Sequence, residues 1–426
     1  MTAATSHDAP TRGDRLKSWL APLADAVVAV TRLHGIASDG GAPATMLVAG
    51  RTKHVEWLVD RFFATPPARE ALGHFPAWRI ARALRQLRSS ADLTVVHVAR
   101  RSVAPLGFAN DYLAVPDWIG MRLVAPFDVA SSDRRSHSLV EDLRRIRRGR
   151  WVFEVSHRAA DLAPFRDGMY APYTRLRHGP GAHLQPMRRL RRAFRRGGLL
   201  WVSRDGERVA GCLFERRNDS LAALALGVAG GDPARLKDGP IPALYARLIE
   251  LARSSGCTDV DLRGSRPSLD DGLTWFKRKW GAVVYDRPDV PSTLLVHWSR
   301  MTPVVEAFLA GTSLVFRDGG GLSALAVASA RHDERAAVER ACGRLRTPGL
   351  HRIVVLAEPD ELRMPRVARR PTREHGLCEQ GLAPARDEPL PVEVVRVHRP
   401  DPHDVSRRRS ITGCRVLRRR RRMPPR

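Results

Sequence analysis

Lysine is nearly absent from this strongly basic chain. Of its 72 basic residues, five are lysines and the other 67 are arginines, against 45 acidic residues. This bias indicates that the arginine excess is partly a matter of codon usage rather than selection for a partner, so the formal net charge of +27 does not by itself establish nucleic-acid binding. Two of the five lysines, Lys277 and Lys279, stand in the aromatic segment WFKRKWG. A compact ammonium in an arginine-rich chain suggests contact with an anionic substrate group.

Cysteine and long apolar runs are also scarce. The five cysteines are scattered, without a CxxC pair or a nearby histidine spacing that would suggest zinc, so we expect free thiols and no metal site. No apolar run approaches the roughly 18 to 20 residues of a membrane span. The N-terminal segment lacks the basic stretch and apolar core of a signal peptide. We therefore expect a cytoplasmic protein without a transmembrane segment.

The length and patterning indicate several domains. A chain of 426 residues fits roughly two or three domains, and helical and strand patterns alternate from about residue 18, which predicts the α/β class. The expected divisions are a disordered leader, an N-terminal α/β domain, a second α/β domain, a small α/β extension and a disordered Arg/Pro-rich tail, over residues 1–17, 18–150, 151–300, 301–362 and 363–426.

The second domain has the most regular pattern. From residue 151 to 298 the sequence predicts a strand, a helix, three strands, a helix, a strand, a helix and two final strands that complete one sheet. We expect Pro172 to break the first helix and Asp205-Gly206 to form a hairpin turn. Pro240 is expected in the first turn of the second helix.

Four segments of this region resemble a known family. They are MYAPYTRLRHG, GLLWVSRDGERVAGCLFE, ALYARLIELARSSGCTDVDLRGSRP and WFKRKWGA. In order and spacing they resemble the FemAB-like branch of the GNAT-fold acyltransferases, whose bacterial members are often labelled BioF-like acetyltransferases. The resemblance covers about residues 138–298. It implies a GNAT-fold mixed sheet flanked by helices, in two tandem halves of which the first is degenerate.

The resemblance also implies a chemistry. GNAT folds transfer an acyl group from a thioester, or in peptidyltransferase relatives from aminoacyl-tRNA, to an acceptor amine. A central strand separates from its neighbour and frees backbone N–H groups for the carbonyl oxygen, while the next helix points its N-terminus at the donor's phosphates. Here the separating strand would be residues 221–228, followed by a phosphate loop over residues 230–239.

The implied co-substrate is acyl-CoA or acetyl-CoA. Arg235, Lys237 and Gly239 are the expected phosphate contacts. However, RLKDGPIPA departs from the spacing of CoA-using relatives, and its two prolines remove amide donors. This departure leaves the donor open between CoA and another carrier, and an ordinary solvated loop is an equal alternative.

The candidate catalytic residues are His178 and Tyr173. The imidazole of His178 would accept the proton of an attacking ammonium, although it could simply cap a helix that ends at Gly179. Tyr173 and Tyr170 share a helical face that would place a phenol over the acceptor, but such pairs often only pack. Further substrate-binding candidates flank these two segments: Tyr170, Arg177, Asp261, Arg263, Arg266, Lys277 and Lys279.

The helix that carries the lysines has an alternative interpretation. Trp275, Phe276 and Trp280 are expected to seat it against the sheet, which would leave Lys277 and Lys279 facing outward near its C-terminus. Lining of the substrate channel by these lysines is the functional alternative.

Three functions follow from these observations. The first is an N-acyltransferase acting on an amine of a small-molecule, polysaccharide or cell-envelope precursor. The second is an aminoacyl-tRNA-dependent peptidyltransferase of FemAB type, in which the basic segments RRIRRGR and RRLRRAFRR would bind tRNA. The third is a non-catalytic basic protein that binds RNA or an anionic surface.

Overall fold

The computed structural model describes residues 27–108, 112–127, 137–179, 182, 184–328, 334–357 and 390–396. The predicted leader and most of the predicted tail lie outside these residues. The strands are β1 (Val27–Ile36), β2 (Pro43–Ala49), β3 (Ala68–Pro76), β4 (Leu93–Ala99), β5 (Leu113–Pro116), β6 (Ile119–Val124), β7 (Val152–Ser156), β8 (Gly197–Arg204), β9 (Glu207–Arg217), β10 (Ser220–Val228), β11 (Asp259–Ser265), β12 (Val283–Asp286), β13 (Ser292–His297), β14 (Val315–Asp318), β15 (Gly321–Ala328), β16 (Arg352–Ala357) and β17 (Val392–Arg396).

The helices alternate with these strands, as the sequence pattern predicts. They are α1 (Glu56–Phe62), α2 (Ala77–Leu87), α3 (His137–Arg148), α4 (Leu162–Phe165), α5 (Ala171–His178), α6 (Met187–Arg196), α7 (Pro233–Leu236), α8 (Pro240–Ser254), α9 (Gly272–Lys279), α10 (Pro303–Thr312) and α11 (Glu334–Leu345). Pro240 lies in the first turn of α8, and Asp205-Gly206 joins β8 to β9, both as predicted.

The described strands form two sheets. The first has the order β17-β16-β15-β14-β5-β13-β4-β2-β1-β3, and the second has the order β12-β6-β11-β10-β9-β8-β7. Both contain the same run of five strands, in which successive pairs are antiparallel, parallel, antiparallel and antiparallel. This run is β1-β2-β4-β13-β5 in the first sheet and β9-β10-β11-β6-β12 in the second. The repeated pattern shows two halves with the same pairing scheme.

Each half of the chain contributes one strand to the sheet of the other half. β6 lies before residue 150 in the chain but pairs with β11 and β12 of the second sheet. β13 lies before residue 300 but pairs with β4 and β5 of the first sheet. The sheets therefore do not follow the predicted boundaries at residues 150 and 300. The expectation that β12 and β13 complete one sheet is wrong, because sequence adjacency does not reveal such an exchange.

The second sheet is covered by helices on both faces. Alternate residues of β11, Val260 and Leu262, point into a core shared with α8, so Asp261 lies on the opposite face. That opposite face is packed by α4, α6 and the segment between α4 and α5, where Phe165 and Leu190 contact the buried side chains of β8 and β9. The core under α8 also includes residues of β14, β15 and β16, so the two sheets share apolar packing.

Two local predictions need correction. The chain does not break at Pro172; it passes from α4 into α5 through one π-helical stretch, Arg166–Tyr170, and Pro172 follows this stretch in the first turn of α5. Within the tail predicted to be disordered, residues 392–396 form β17, which pairs in parallel with β16.

The fold class predicted from the sequence is confirmed. The structure is a mixed α/β fold with sheets flanked by helices, in two tandem halves that share one strand-pairing scheme. None of the helices in the described part of the chain has the length and apolar content needed to cross a lipid bilayer.

Candidate active site

The parallel strands at the centre of the second sheet separate part-way along their length. β10 and β11 pair only from Ser220 and Asp259 to Ala222 and Asp261. β10 then continues to Val228 without further pairing to β11. The equivalent strands of the first half, β2 and β4, stay paired to the last residue of β2. The two central strands therefore separate in the second half, and the gap between them is called the cleft below; in the first half the equivalent strands stay paired.

Local backbone geometry explains the separation. The pairing of β10 with β9 shifts register between Ala223 and Ala225, and the pairing of β11 with β6 shifts between Asp261 and Gly264. Between these last two lies Arg263, whose φ of 64° is left-handed. The carboxylate of Asp261 accepts hydrogen bonds from the backbone N of Arg263 at 2.7 Å and from its guanidinium at 3.0 Å. This local loop turns β11 away from β10.

Lys277 forms hydrogen bonds to the end of β11 that has separated from β10. Its ammonium donates to the carbonyl oxygens of Gly264 at 2.9 Å and Arg263 at 3.3 Å and to the hydroxyl of Ser265 at 3.0 Å. The side chain is buried, and this burial lowers the pKa of the ammonium to about 7. The predicted outward orientation is therefore wrong. Lys277 satisfies backbone carbonyls at the edge of the cleft instead of lining it.

The helical segment from α4 to α5 covers the end of β10. Gly227 approaches this segment so closely that an added Cβ would lie 2.5 Å from the backbone nitrogen of Tyr170. The phenol of Tyr170 is buried and accepts a hydrogen bond of 3.0 Å from the backbone N of Gln185. Tyr170 is thus a packing residue, and its predicted contact with substrate is not supported.

Tyr173 and His178 lie further along the same helix. Tyr173 packs against the core under α8, and burial raises the pKa of its phenol, which stays neutral at physiological pH. His178 is solvent-exposed at the end of α5, near Arg177, Arg266 and Asp271. The protein atoms that surround it remove part of its hydration, and this desolvation, followed by the two positive charges, lowers the pKa of its imidazole. A neutral imidazole is the form that can accept a proton.

Arg266 occupies an unusual position just after β11. Its guanidinium stacks on the indole of Trp118 at 4.3 Å and faces that of Trp57 at 5.8 Å. No described residue accepts a hydrogen bond from this guanidinium. Burial lowers the pKa of Arg266, and the carboxylates of Asp271 and Asp117 oppose this shift. The planar guanidinium of Arg266, held by these two indoles, can donate paired hydrogen bonds to a carboxylate or phosphate.

A second charged group lies at the level where the strands separate. Glu215 of β9, opposite Ala222 in the sheet, is fully buried. Its Oε1 accepts a hydrogen bond of 2.8 Å from Arg189 and lies 3.0 Å from the guanidinium of Arg217 in an ion pair, while its Oε2 is buried without a partner among the described residues. Arg189 also faces Arg263, so these groups share one face of the sheet.

The predicted phosphate loop is poor in donors. Arg235 pairs with Glu207 at 2.8 Å and lies 3.8 Å from Asp232, so its charge is already compensated. Lys237 is exposed, and Gly239 caps α8 with a φ of 87°. Residues 240 and 242 are prolines and have no amide hydrogen, and the amide of Ala243 donates to the carbonyl of Gly239. The start of α8 therefore offers only the amide of Ile241 to a phosphate.

Lys279 is also a structural residue. Its ammonium lies 2.5 Å from the carboxylate of Asp142 and donates to the hydroxyl of Ser138 at 3.1 Å, which docks α9 on α3. Its predicted place in the channel is therefore wrong. The aromatic anchoring of α9 is confirmed for Trp280, which is 2% exposed, but not for Trp275, which is 46% exposed.

The structure thus brings together only part of the predicted set. His178, Arg177 and Arg266 lie in one neighbourhood, and Asp261 with Arg263 shapes the cleft edge. Sequence reasoning missed the residues that complete the site, namely Glu215, Arg189, Arg217, Asp271, Trp57 and Trp118. The one available signal was the acidic residue on a strand that otherwise alternates toward the interior.

Comparison with known proteins gives only distant structural similarity. No protein-family model and no curated protein matches the chain. L-PGS from Bacillus licheniformis is 15% identical, with 70% of this chain and 95% of that chain covered and a TM-score of 0.32. FemX is 12% identical, with 59% of this chain and 80% of the FemX chain covered and a TM-score of 0.32. A GCN5-related N-acetyltransferase from Kribbella flavida is 12% identical, with 59% and 80% covered and a TM-score of 0.24. At such scores the similarities carry no argument about activity.

Proposed function

We propose that this protein is an N-acyltransferase of GNAT fold whose second half carries the active site. The observation that supports this most directly is the separation of β10 and β11 after Ala222, set against the closed pair β2 and β4 in the first half. Beyond Ala222, the backbone groups of β10 that face β11 have no partner on that strand. Such amides can stabilise the oxyanion that forms when an amine attacks an acyl carbonyl.

The surrounding side chains fit this reaction in two roles. His178 would take the proton of the attacking amine, because its lowered pKa keeps the imidazole neutral near physiological pH. Arg266 would bind a carboxylate or phosphate of a substrate, because its guanidinium is positioned by two indoles and has donors to spare. The acceptor class proposed from the sequence is an amine of a small-molecule, polysaccharide or cell-envelope precursor.

The donor is proposed as an acyl thioester of coenzyme A or, as the second candidate, an aminoacyl-tRNA. The amide-poor start of α8 weakens the first. One observation favours the second: α6 directs Leu190 into the core and exposes a basic outer face formed by Arg188, Arg191, Arg192, Arg195 and Arg196. A helix face of this kind can follow a nucleic-acid backbone.

Donor binding by the purified full chain tests the proposal. Acetyl-CoA, longer acyl-CoAs, free CoA and charged tRNA are compared by thermal shift and then by transfer to hydroxylamine, which reports acyl transfer as hydroxamate. One donor is expected to raise Tm and to support transfer. His178→Ala should lower the transfer rate by roughly 100-fold while the donor still raises Tm. Arg247→Ala, at an exposed pair with Glu250, serves as the control that leaves both unchanged.

The opposite outcome is equally defined. If charged tRNA or an anionic vesicle binds but no donor yields hydroxamate, the protein is the non-catalytic basic binder, and the acyltransferase proposal fails. Binding that disappears at physiological salt would indicate only the diffuse charge of the surface.

A further inference from the structure

Two histidines and an aspartate converge at the junction of the two sheets. His54 ends the short helix over Thr52–His54, His97 lies in β4, and Asp117 lies between β5 of the first sheet and β6 of the second. Their candidate ligand atoms all lie within 4.8 Å of one another. Because the three residues come from separate elements, no sequence spacing reveals them.

The spacing of these atoms suits a tetrahedral metal ion. The Oδ2 of Asp117 lies 3.3 Å from Nδ1 of His54 and 3.2 Å from Nε2 of His97. Ligands that each lie about 2.0–2.1 Å from Zn²⁺ at tetrahedral angles are separated by about 3.3 Å. The two imidazoles stack with ring centroids 4.2 Å apart and an interplanar angle of 14°. An ion held by both nitrogens therefore requires one ring to rotate until its in-plane lone pair points at the ion.

The carboxylate of Asp117 is held in place by one neighbour, and one of its two oxygens has no hydrogen-bond partner among the described residues. The hydroxyl of Ser292 donates to Oδ2 of Asp117, which fixes the carboxylate in the manner of an outer-shell partner. Oδ1 of Asp117 is buried and has no hydrogen-bond partner among the described residues. The side chain of Asp117 is 3% exposed and that of His97 8%, whereas that of His54 is 38% exposed, so an ion would enter past His54.

We infer that His54, His97 and Asp117 form a binding site for a divalent transition-metal ion such as Zn²⁺. Two imidazoles and one carboxylate are ligands that such ions favour, and a fourth position toward His54 is left for water. The ion ties β4 to the crossover between β5 and β6. Since Trp118 follows Asp117 and stacks on Arg266, the ion also fixes one wall of the candidate active site.

Metal content of the full chain, purified without a histidine tag, tests this inference. The protein is stripped with chelator, and Zn²⁺ binding is measured by calorimetry and elemental analysis. We expect one equivalent to bind and to raise Tm. His54→Ala and His97→Ala should each weaken binding at least tenfold. His34→Ala, at an exposed histidine that pairs with Glu70, is the control that retains wild-type binding.

The readouts separate the possible outcomes. Co²⁺ bound at this site should give visible d–d bands without the thiolate charge-transfer band that cysteine ligation produces. His54→Ala removes a half-exposed side chain and is expected to fold, so its binding can be judged even if His97→Ala unfolds. Absence of Zn²⁺ binding, or binding that both alanine variants retain, would overturn the inference and leave a hydrogen-bonded His–Asp pair.

Discussion

The ammonium of Lys277 lies 3.0 Å from the hydroxyl of Ser265, inside the second half of the chain. The same ammonium reaches two neighbouring carbonyls of β11, so one compact donor satisfies three acceptors. A guanidinium is planar and larger and would not converge on these atoms. This geometry explains why an arginine-rich chain keeps lysine at position 277.

Lys277→Met is predicted to change how stability depends on pH. Burial lowers the pKa of Lys277 from 10.5 to about 7. Below pH 7 both folded and unfolded states hold the proton, and the full cost of burying the charge applies. Between pH 7 and 10.5 the unfolded chain holds a proton that the folded chain has released, so this group makes the free energy of unfolding rise with pH by about 1.4 kcal/mol per unit.

Urea unfolding at pH 6.5, 7.5 and 8.5 measures this contribution as the difference between wild type and variant. Lys277→Met should lose the rise of about 1.4 kcal/mol between pH 7.5 and 8.5. Lys237→Met, at an exposed lysine, is the matched control and should keep the wild-type slope. Parallel curves for all three proteins would show that Lys277 titrates as an ordinary lysine.

The elements of the fold are largely predictable from the sequence, but their pairing is not. Local periodicity identifies β8, β9, β10, α8 and β11, because each has a regular apolar face bounded by Gly, Pro or Asp. The exchange of β6 and β13 depends on contacts between residues far apart in the chain. β17 is missed for the same reason: its five residues gain stability only by pairing with β16.

The candidate site is less predictable than the fold. Arg266 and His178 could be selected because they follow a strand and end a helix. The burial of Lys277 and Lys279 could not be predicted, because their position near the C-terminus of α9 suggests solvent exposure. Glu215 was overlooked because the arginines that neutralise it come from α6 and from the end of β9, and only the folded chain shows that arrangement.

Gly227→Ala is predicted to disturb the cover of the cleft. A Cβ at this position would lie 2.5 Å from the backbone N of Tyr170 and 2.6 Å from the backbone carbonyl carbon of Met169, so backbone atoms must move. We expect a loss of about 1–3 kcal/mol in the free energy of unfolding. Gly168→Ala is the control within the same π-helical stretch, because its Cβ would meet nothing within 4 Å. Equal urea midpoints for the two variants would contradict the close packing of β10 on this segment.

Glu215→Gln is predicted to destabilise the protein without changing side-chain volume. The substitution removes the charge that accepts a hydrogen bond from Arg189 and forms an ion pair with Arg217. Hydrogen bonds to a buried charge contribute about 1.5–3 kcal/mol, and the partial exposure of both arginines favours the lower end. Glu207→Gln breaks the exposed pair with Arg235 and should cost no more than about 1 kcal/mol. A chemical denaturation series on both variants checks the difference, and similar losses would argue against a special role for Glu215.

Arg266→Lys separates anion recognition from folding. Lysine keeps a positive charge between Trp118 and Trp57 but lacks the planar fork, so we expect the melting temperature to change little. Inorganic pyrophosphate serves as the probe anion in calorimetric titrations at physiological salt. Loss of a two-pronged contact with a charged acceptor should weaken its tightest binding site by roughly 10- to 100-fold. Arg247→Lys, at an exposed ion pair, controls for general surface charge and should bind as wild type does. If pyrophosphate binds Arg266→Lys as tightly as it binds this control, the stacked guanidinium holds the two indoles in place and does not recognise an anion.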